Sequence, residues 1–331
     1  MPTSVAVGAR SGSAVSSRRQ IRRRLALLFA FLTATLWGTA YVAAKYALQT
    51  LPPFTAAAAR FMLAVAVLWP LLLAMRRVEK LERRDLPLLI AASLFQATLY
   101  FALQYAGMQH TTAANTALIV NTRPIFVAIL SALWLHEALR GRQVMGILLA
   151  FAGVVVIIWS GTEGWRGFSR GRIFGDVLIL LNAFSGALAI ILLKKMVDRY
   201  SPLVTAVYTT TVGTIGLIPL AVWEVARMGW PTGSPVSWAA VVYMALANTA
   251  IPYLLWYTAL SRLKEWEAAV FLYLTPVISV MLSARLLSER MGVWFVFGGV
   301  MVLFGAYQTI GASGLQRRVL PTAWSDRHQD T

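Results

Sequence analysis

Tyr105–Ala106–Gly107–Met108 and Tyr257–Thr258–Ala259–Leu260 lie 152 residues apart, and the sequence that follows each keeps that spacing. Pro124 pairs with Pro276, Glu137 with Glu289, Gly146 with Gly298 and Gly153 with Gly305. The chain therefore reads as one unit written twice. Each copy holds five apolar stretches, so an odd number of crossings brings the second copy into the bilayer from the opposite face. The expected fold is all-α and membrane-embedded, with ten transmembrane helices arranged as two inverted five-helix repeats. Inverted repeats of this kind place a solute site near the midplane, between the halves.

Composition agrees with that reading. Of 331 residues, 58% are hydrophobic and only 13% charged, far from a soluble globular balance. A helix needs about 20 apolar residues to cross about 30 Å of hydrocarbon. Ten stretches meet or approach this, at 25–45, 55–75, 86–107, 113–135, 143–160, 173–193, 203–225, 237–258, 267–287 and 292–311. The expected organisation is a basic amino-terminal tail (1–24), a first repeat (25–160), an external linker (161–172), a second repeat (173–312) and a carboxy-terminal tail (313–331). Residues 1–20 and the chain beyond Gly314 have the composition of disordered tails. Little is left over for an aqueous catalytic domain.

A net charge of +17 invites nucleic acid as a partner. In an apolar chain with its Arg and Lys in short loops, the charge instead reports orientation. Arg18, Arg19, Arg22, Arg23 and Arg24 precede the first stretch, and Arg76, Arg77, Lys80, Arg83 and Arg84 follow the second. Lys194, Lys195 and Arg199 follow the sixth, Arg317 and Arg318 the tenth. Both termini are expected on the cytoplasmic side of a cell membrane (inner or plasma), with the lipid bilayer and a small solute as partners and no nucleic acid. The exception is the loop after the fifth stretch, where Arg166, Arg170 and Arg172 would lie outside. Ser17–Arg18–Arg19 loosely resembles a twin-arginine signal, but the apolar run behind it is long and nine more follow.

Zero cysteines excludes disulfides and thiolate metal sites. His110, His136 and His328 sit at or beyond the stretch ends without ligand spacing, so neither metal nor cofactor is expected. Asp176, Glu224 and Glu267 lie near stretch ends, leaving the middles free of acids. Any proton coupling would then fall to Glu267, Asp176 or the solute itself.

Polar groups in mid-bilayer must face protein or a wet cavity, and the repeat picks them out. Gln96 and Asn248 are equivalent at the 152 offset. The first and sixth stretches align at 149, pairing Pro53 with Pro202, Lys45 with Lys194 and Thr33 with Asn182. Arg123 pairs with Thr275, each just before the repeated proline. One polar layer results. Each amide has two readings, interhelical glue or cavity lining; Thr33 reads as packing and the repeated glycines as close helix contacts. Pro124 and Pro276 are expected to kink their helices or free a carbonyl. Glu137 and Glu289 read as surface anchors or as pairs between repeats.

Arg123 differs in kind. Eleven residues into its stretch it lies about 15 Å deep, where no carboxylate is in sequence reach to neutralise it. A lone cation there fits an anionic substrate group, against the alternative of pairing with carbonyls, Gln96 and Asn248. Arg60 lies only a few residues inside the second stretch and reads as snorkelling. Trp37 and Tyr41 share one helix face, Gln96 and Tyr100 another, and Asn248, Pro252 and Trp256 a third.

These residues carry a resemblance. Trp37–Gly38, Lys45, Pro53 and Arg60, then a mid-stretch proline with Glu137 thirteen residues on, resemble the EamA-type branch of the drug/metabolite transporter superfamily. Lys194, Pro202, Pro276 and Glu289 repeat the pattern, over residues 30–160 and 173–311. The resemblance implies a ten-helix fold with a central cavity lined by stretches 1, 3, 4, 6, 8 and 9, and export or exchange of metabolites such as amino acids. Arg123 departs from the family, which usually has an uncharged residue there, and Gly186 stands where the first repeat has Trp37. The expectation is an exporter of a small amphipathic solute with a carboxylate, working by alternating access. Its site would hold Arg123, Gln96, Asn248, Asn182, Trp37, Tyr41, Tyr100, Trp256 and Thr275. The alternatives are a translocase for a phosphorylated lipid carrier and a membrane-bound transferase.

Overall fold

The computed structural model describes residues 6–76, 78–134, 141–160, 170–197, 199–260, 263, 271–272 and 274–311. Among them the regular structure is entirely helical. We number ten helices: α1 (Ala6–Ala47), α2 (Pro53–Ala74), α3 (within Arg83–His110), α4 (Ala113–Trp134) and α5 (Gly141–Ser160). The second set is α6 (Arg170–Val197), α7 (Pro202–Met228), α8 (Pro235–Ala245 continuing through Ile251–Leu260), α9 (Leu274–Leu286) and α10 (Val293–Gly311). Eight helices are long and apolar enough to cross a membrane, and Leu274–Leu286 and Val293–Gln308 are shorter apolar helices. Their outward faces carry large apolar side chains such as Met145, Leu148, Val296 and Phe304, the surface a lipid solvent accepts.

Helix starts follow local chemistry. α2, α7 and α8 each open on a proline, whose fixed φ suits the first turn and whose missing N–H needs no partner there. Ser201 and Ser234 accept from the backbone N–H groups of Val204 and Ser237, and Thr112 from that of Asn115. Carboxylates satisfy other orphan donors across the fold. Glu224 of α7 accepts from the N–H groups of Phe54 and Thr55 at 3.3 and 2.7 Å, and Glu79 from that of Ser201 at 3.0 Å. Glu289 accepts from the N–H groups of Ala113 and Ala114 at 2.8 and 3.1 Å, so it joins the two halves rather than anchoring at a surface. Glu137 lies outside the described residues.

The halves interleave. α5 packs on α10, α2 on α7 and α4 on α9, while α3 and α4 pack on α6 as α8 and α9 pack on α1. In the first of these, a Cβ on Gly153 would lie 2.7 Å from the Gly298 carbonyl oxygen, and one on Gly298 would lie 2.8 Å from that of Gly153. Gly305 meets Gly146 in the same way, so the two helices run antiparallel with backbones in contact.

Two sequence expectations need adjusting. Residues 6–20, assigned to a disordered tail, continue α1 as helix, because no glycine or proline lies between Ser13 and the bilayer to stop a helix propagating outward. The fourth stretch is two helices, Ala113–Val120 and Arg123–Trp134, with Asn121 and Thr122 between them. Pro124 cannot donate to the Val120 carbonyl, so the α-helical ladder is interrupted there.

Candidate functional site

Two further interruptions lie at equivalent places. α3 contains a π turn at Leu94–Leu99 and α8 one at Leu246–Ala250, around Gln96 and Asn248, which are equivalent in the repeat. In α8 the cause is legible. Pro252 has no N–H, so the Asn248 carbonyl four residues earlier lacks its α-helical donor. Such turns are frequent at functional sites.

Arg60 of α2 fills the gap. Its Nη2 donates to the Asn248 carbonyl at 3.4 Å and to the Thr249 hydroxyl at 3.1 Å. Its Nε donates to the same hydroxyl at 3.2 Å, and its Nη1 to the Tyr105 hydroxyl at 3.3 Å. Phe61 and Phe101 present ring faces 5.0 and 5.2 Å from the guanidinium carbon. Arg60 is only 4% exposed, which overturns the snorkelling expectation. Distance from a helix end does not say which way a side chain faces, and here it faces α8.

Arg123 begins the second segment of α4. Its Nη2 donates to the Tyr100 hydroxyl, and the guanidinium carbon stands 4.6 Å from the Tyr100 ring centroid. Its buried Nε has no hydrogen-bond partner. Gly186 of α6 makes the room, since a Cβ there would lie 2.8 Å from that Nε and 3.0 Å from the Tyr100 ring. Among the described residues, no carboxylate lies within ion-pair distance of Arg60 or Arg123. Tyr100 packs edge-on against Phe101 at 4.8 Å, so one aromatic pair of α3 bridges the two guanidinium groups.

The amides sit around this bridge. Asn182 donates to the Tyr100 carbonyl at 2.6 Å, and Asn248 to the Leu36 carbonyl and the Thr39 hydroxyl. Their nitrogens are glue between helices. Their oxygens, with the Gln96 Oε1, are buried without partners, so the two readings of these residues divide by atom. Tyr41 is buried within electrostatic reach of Tyr100, Arg123 and Arg60, and the half-buried Tyr253 lies within reach of the same three groups. Trp37 and Trp256 meet at 5.4 Å between centroids. Thr275 donates to the Ala34 carbonyl at 3.3 Å, which ties α9 to α1 and leaves its hydroxyl occupied.

The acids lie apart from this cluster. Glu224 is spent on the start of α2. Asp176 is fully buried, accepting from the Thr111 hydroxyl and from the Asn115 amide at 3.2 and 3.3 Å. Glu267 lies outside the described residues. Chemically, the centre offers one saturated cation, one cation with a donor to spare, aromatic surface and orphaned amide oxygens. It can hold an anionic group, and its described residues include no acid placed for acid–base work.

The EamA-like transporter family matches residues 24–159 and 173–311, nearly all of the chain outside its ends. The chain belongs to that family. Among its relatives, an uncharacterized transporter of Archaeoglobus fulgidus is 32% identical over 84% of this chain and 94% of its own length. A protein of Escherichia coli named "Probable amino-acid metabolite efflux pump" is 28% identical over 88% and 96%. One crystal structure superposes with a TM-score of 0.59 at 21% identity, over 86% of this chain and 98% of the other, which speaks to the fold alone. This member of the EamA-like transporter family is thus a multi-pass membrane protein of transporter type. Sequence reasoning missed Arg60, Tyr105 and Thr249 as parts of the centre. The missing donor at Pro252, four residues after Asn248, was the available signal.

Proposed function

We propose that the protein is a secondary transporter, exporting a small amphipathic metabolite with a carboxylate, such as an amino acid. Ten spans in two inverted repeats would alternate access to a mid-membrane site. The observation that carries this reading is the unsaturated guanidinium of Arg123, set at a helix break beside orphaned amide oxygens and aromatic rings. A buried cation without a fixed carboxylate is costly, and a mobile anionic ligand relieves that cost. The efflux name of the Escherichia coli relative supports the same direction and class. The glycine-mediated antiparallel packing of α5 on α10 supports the inverted arrangement: each contact recurs when the halves are exchanged, the behaviour of a two-fold. Residues 25–160 and 173–312 would then be the repeats, with both termini cytoplasmic in the cell membrane.

Purified protein screened by thermal shift against amino acids and related metabolites tests the function, because a ligand of the native state raises its stability. We expect a carboxylate-bearing solute to raise the melting temperature and to show counterflow in proteoliposomes. No stabilisation by any such solute, with a phosphorylated lipid copurifying instead, would overturn it in favour of a lipid translocase. Since the chain has no cysteine, single cysteines at 138 and 290 test the topology. Position 138 should label from the cytoplasm and position 290 from outside; labelling of both from one side would refute the inverted repeat.

A further inference from the structure

We propose that Gly186 and Trp37 divide the site into an anion end and an aromatic end, so that the solute is a carboxylate joined to a flat apolar group. This deepens the transport reading and rests on it. The two residues are equivalent under the repeat, yet one has no side chain and the other has the largest. At the Gly186 end the vacated volume is taken by the Arg123 guanidinium and the Tyr100 ring, with the Arg123 Nε left unpartnered. At the Trp37 end the equivalent of Arg123 is Thr275, a neutral residue whose hydroxyl is already bonded to α1. Trp37 instead meets Trp256, making a tilted indole pair. Trp37 and Tyr41 lie one turn apart on α1, about 6 Å along the axis. Tyr41 is within electrostatic reach of Arg123 and Tyr100. Asn248 joins the two ends: its amide donates to α1 at Leu36 and Thr39, beside Trp37, and its carbonyl accepts from Arg60, whose guanidinium shares the Tyr100–Phe101 ring pair with Arg123. Two identical ends would bind a symmetric or small solute in either orientation. These unlike ends admit one orientation and reward a ring.

The test is calorimetric binding to purified protein of three probes: phenylalanine, with ring and carboxylate; alanine, with carboxylate alone; and 2-phenylethylamine, with ring alone. The parent should bind phenylalanine best. Gly186→Ala places its Cβ against Nε and should weaken phenylalanine and alanine alike, by about tenfold or more. Trp37→Leu should weaken phenylalanine by about tenfold and leave alanine unchanged. Equal loss of both probes in Trp37→Leu, or a parent that prefers alanine, overturns the division while leaving a solute site. A parent that binds none of the probes and no other carboxylate solute overturns the transport reading together with it. If Gly186→Ala fails to fold, the Trp37→Leu comparison decides alone.

Discussion

Arg60 and Arg123 each stand beside a π turn in the same membrane-embedded core, and they are held in opposite ways. Arg60 is closed in by two hydroxyls, a freed carbonyl and two phenyl faces, with every guanidinium nitrogen engaged. Among the described residues Arg123 has one hydroxyl and the face of the same tyrosine, and its Nε has nothing. Neither has a described counter-ion, so charge alone does not separate them. Saturation does. A cation whose donors are all used by the fold is architecture; one with a donor in reserve is the candidate receptor of the proposal above. The burial that makes Arg60 conspicuous is thus the reason not to assign it to substrate.

The largest effect is expected at the saturated site. Arg60→Leu removes the donor that Arg60 gives the Asn248 carbonyl and the Thr249 and Tyr105 hydroxyls, the two hydroxyls keeping their own bonds to Met244, and should destabilise the protein by about 2–4 kcal/mol. Detergent-solubilised variant should show a lowered melting temperature and poor yield. Arg60→Lys should recover little, since a point charge cannot serve carbonyl and hydroxyl acceptors on separate arms. A melting temperature like the parent's in Arg60→Leu would contradict the structural role.

Arg123→Gln should reverse the pattern. Removing a half-satisfied cation should hold or raise the melting temperature, while affinity for the carboxylate solute falls by about tenfold or more. Arg123→Lys should also bind weakly, having lost the fork. A stable Gln variant with unchanged affinity would remove Arg123 from the site. A lowered melting temperature, with affinity lost only in proportion, would make it a second Arg60.

This division was only half legible in sequence. The 152-residue offset pairs Gln96 with Asn248, and both lie in π turns. Arg123 stands out in sequence because a charge so far into an apolar stretch is costly whichever way the helix faces. Arg60 was misread because its role depends on helix rotation and on an acceptor in another helix, 188 residues away. No periodicity in α2 encodes that contact. Asn182 and Asn248 were undecidable for a similar reason, since one amide nitrogen serves the fold while its oxygen stays open. Gly186 was visible as a lapse in the repeat, but its meaning needs the neighbour that fills the space.

The carboxylates offer a milder version of the same contrast. Glu224 accepts two backbone N–H groups and a hydroxyl at the start of α2. Glu224→Gln should therefore cost about 1–2 kcal/mol, as loss of a charged helix cap does. Asp176 accepts from the Thr111 hydroxyl and the Asn115 amide rather than from backbone N–H groups, with Arg172 within electrostatic reach, so Asp176→Asn should change the melting temperature less. If proton-driven uptake in proteoliposomes survives Asp176→Asn combined with Glu267→Gln, coupling through those carboxylates is ruled out. Matching stability losses in Glu224→Gln and Asp176→Asn would show that backbone capping is not what distinguishes them.

The smallest effect, and the most specific, concerns why Arg60 is saturated at all. Pro252 withholds the donor that would otherwise close the Asn248 carbonyl into α-helix, and Arg60 substitutes for it from α2. Pro252→Ala restores an N–H at that position. On its own it should shift stability by less than about 1 kcal/mol, because one acceptor merely exchanges donors. Its consequence appears in combination. With the carbonyl supplied from within α8, Arg60→Leu should cost less in the Pro252→Ala background than in the parent, by about 0.5–1 kcal/mol in a double-mutant cycle. Thr249 and Tyr105 still lose the donor that Arg60 gives them, so the rescue should be partial. Strict additivity of the two changes would mean that the arginine does not answer the proline, and the π turn of α8 would need another cause. Arg123 provides the control. Its described partner is the Tyr100 hydroxyl, not the Asn248 carbonyl, so Pro252→Ala combined with Arg123→Gln should be additive within about 0.3–0.5 kcal/mol.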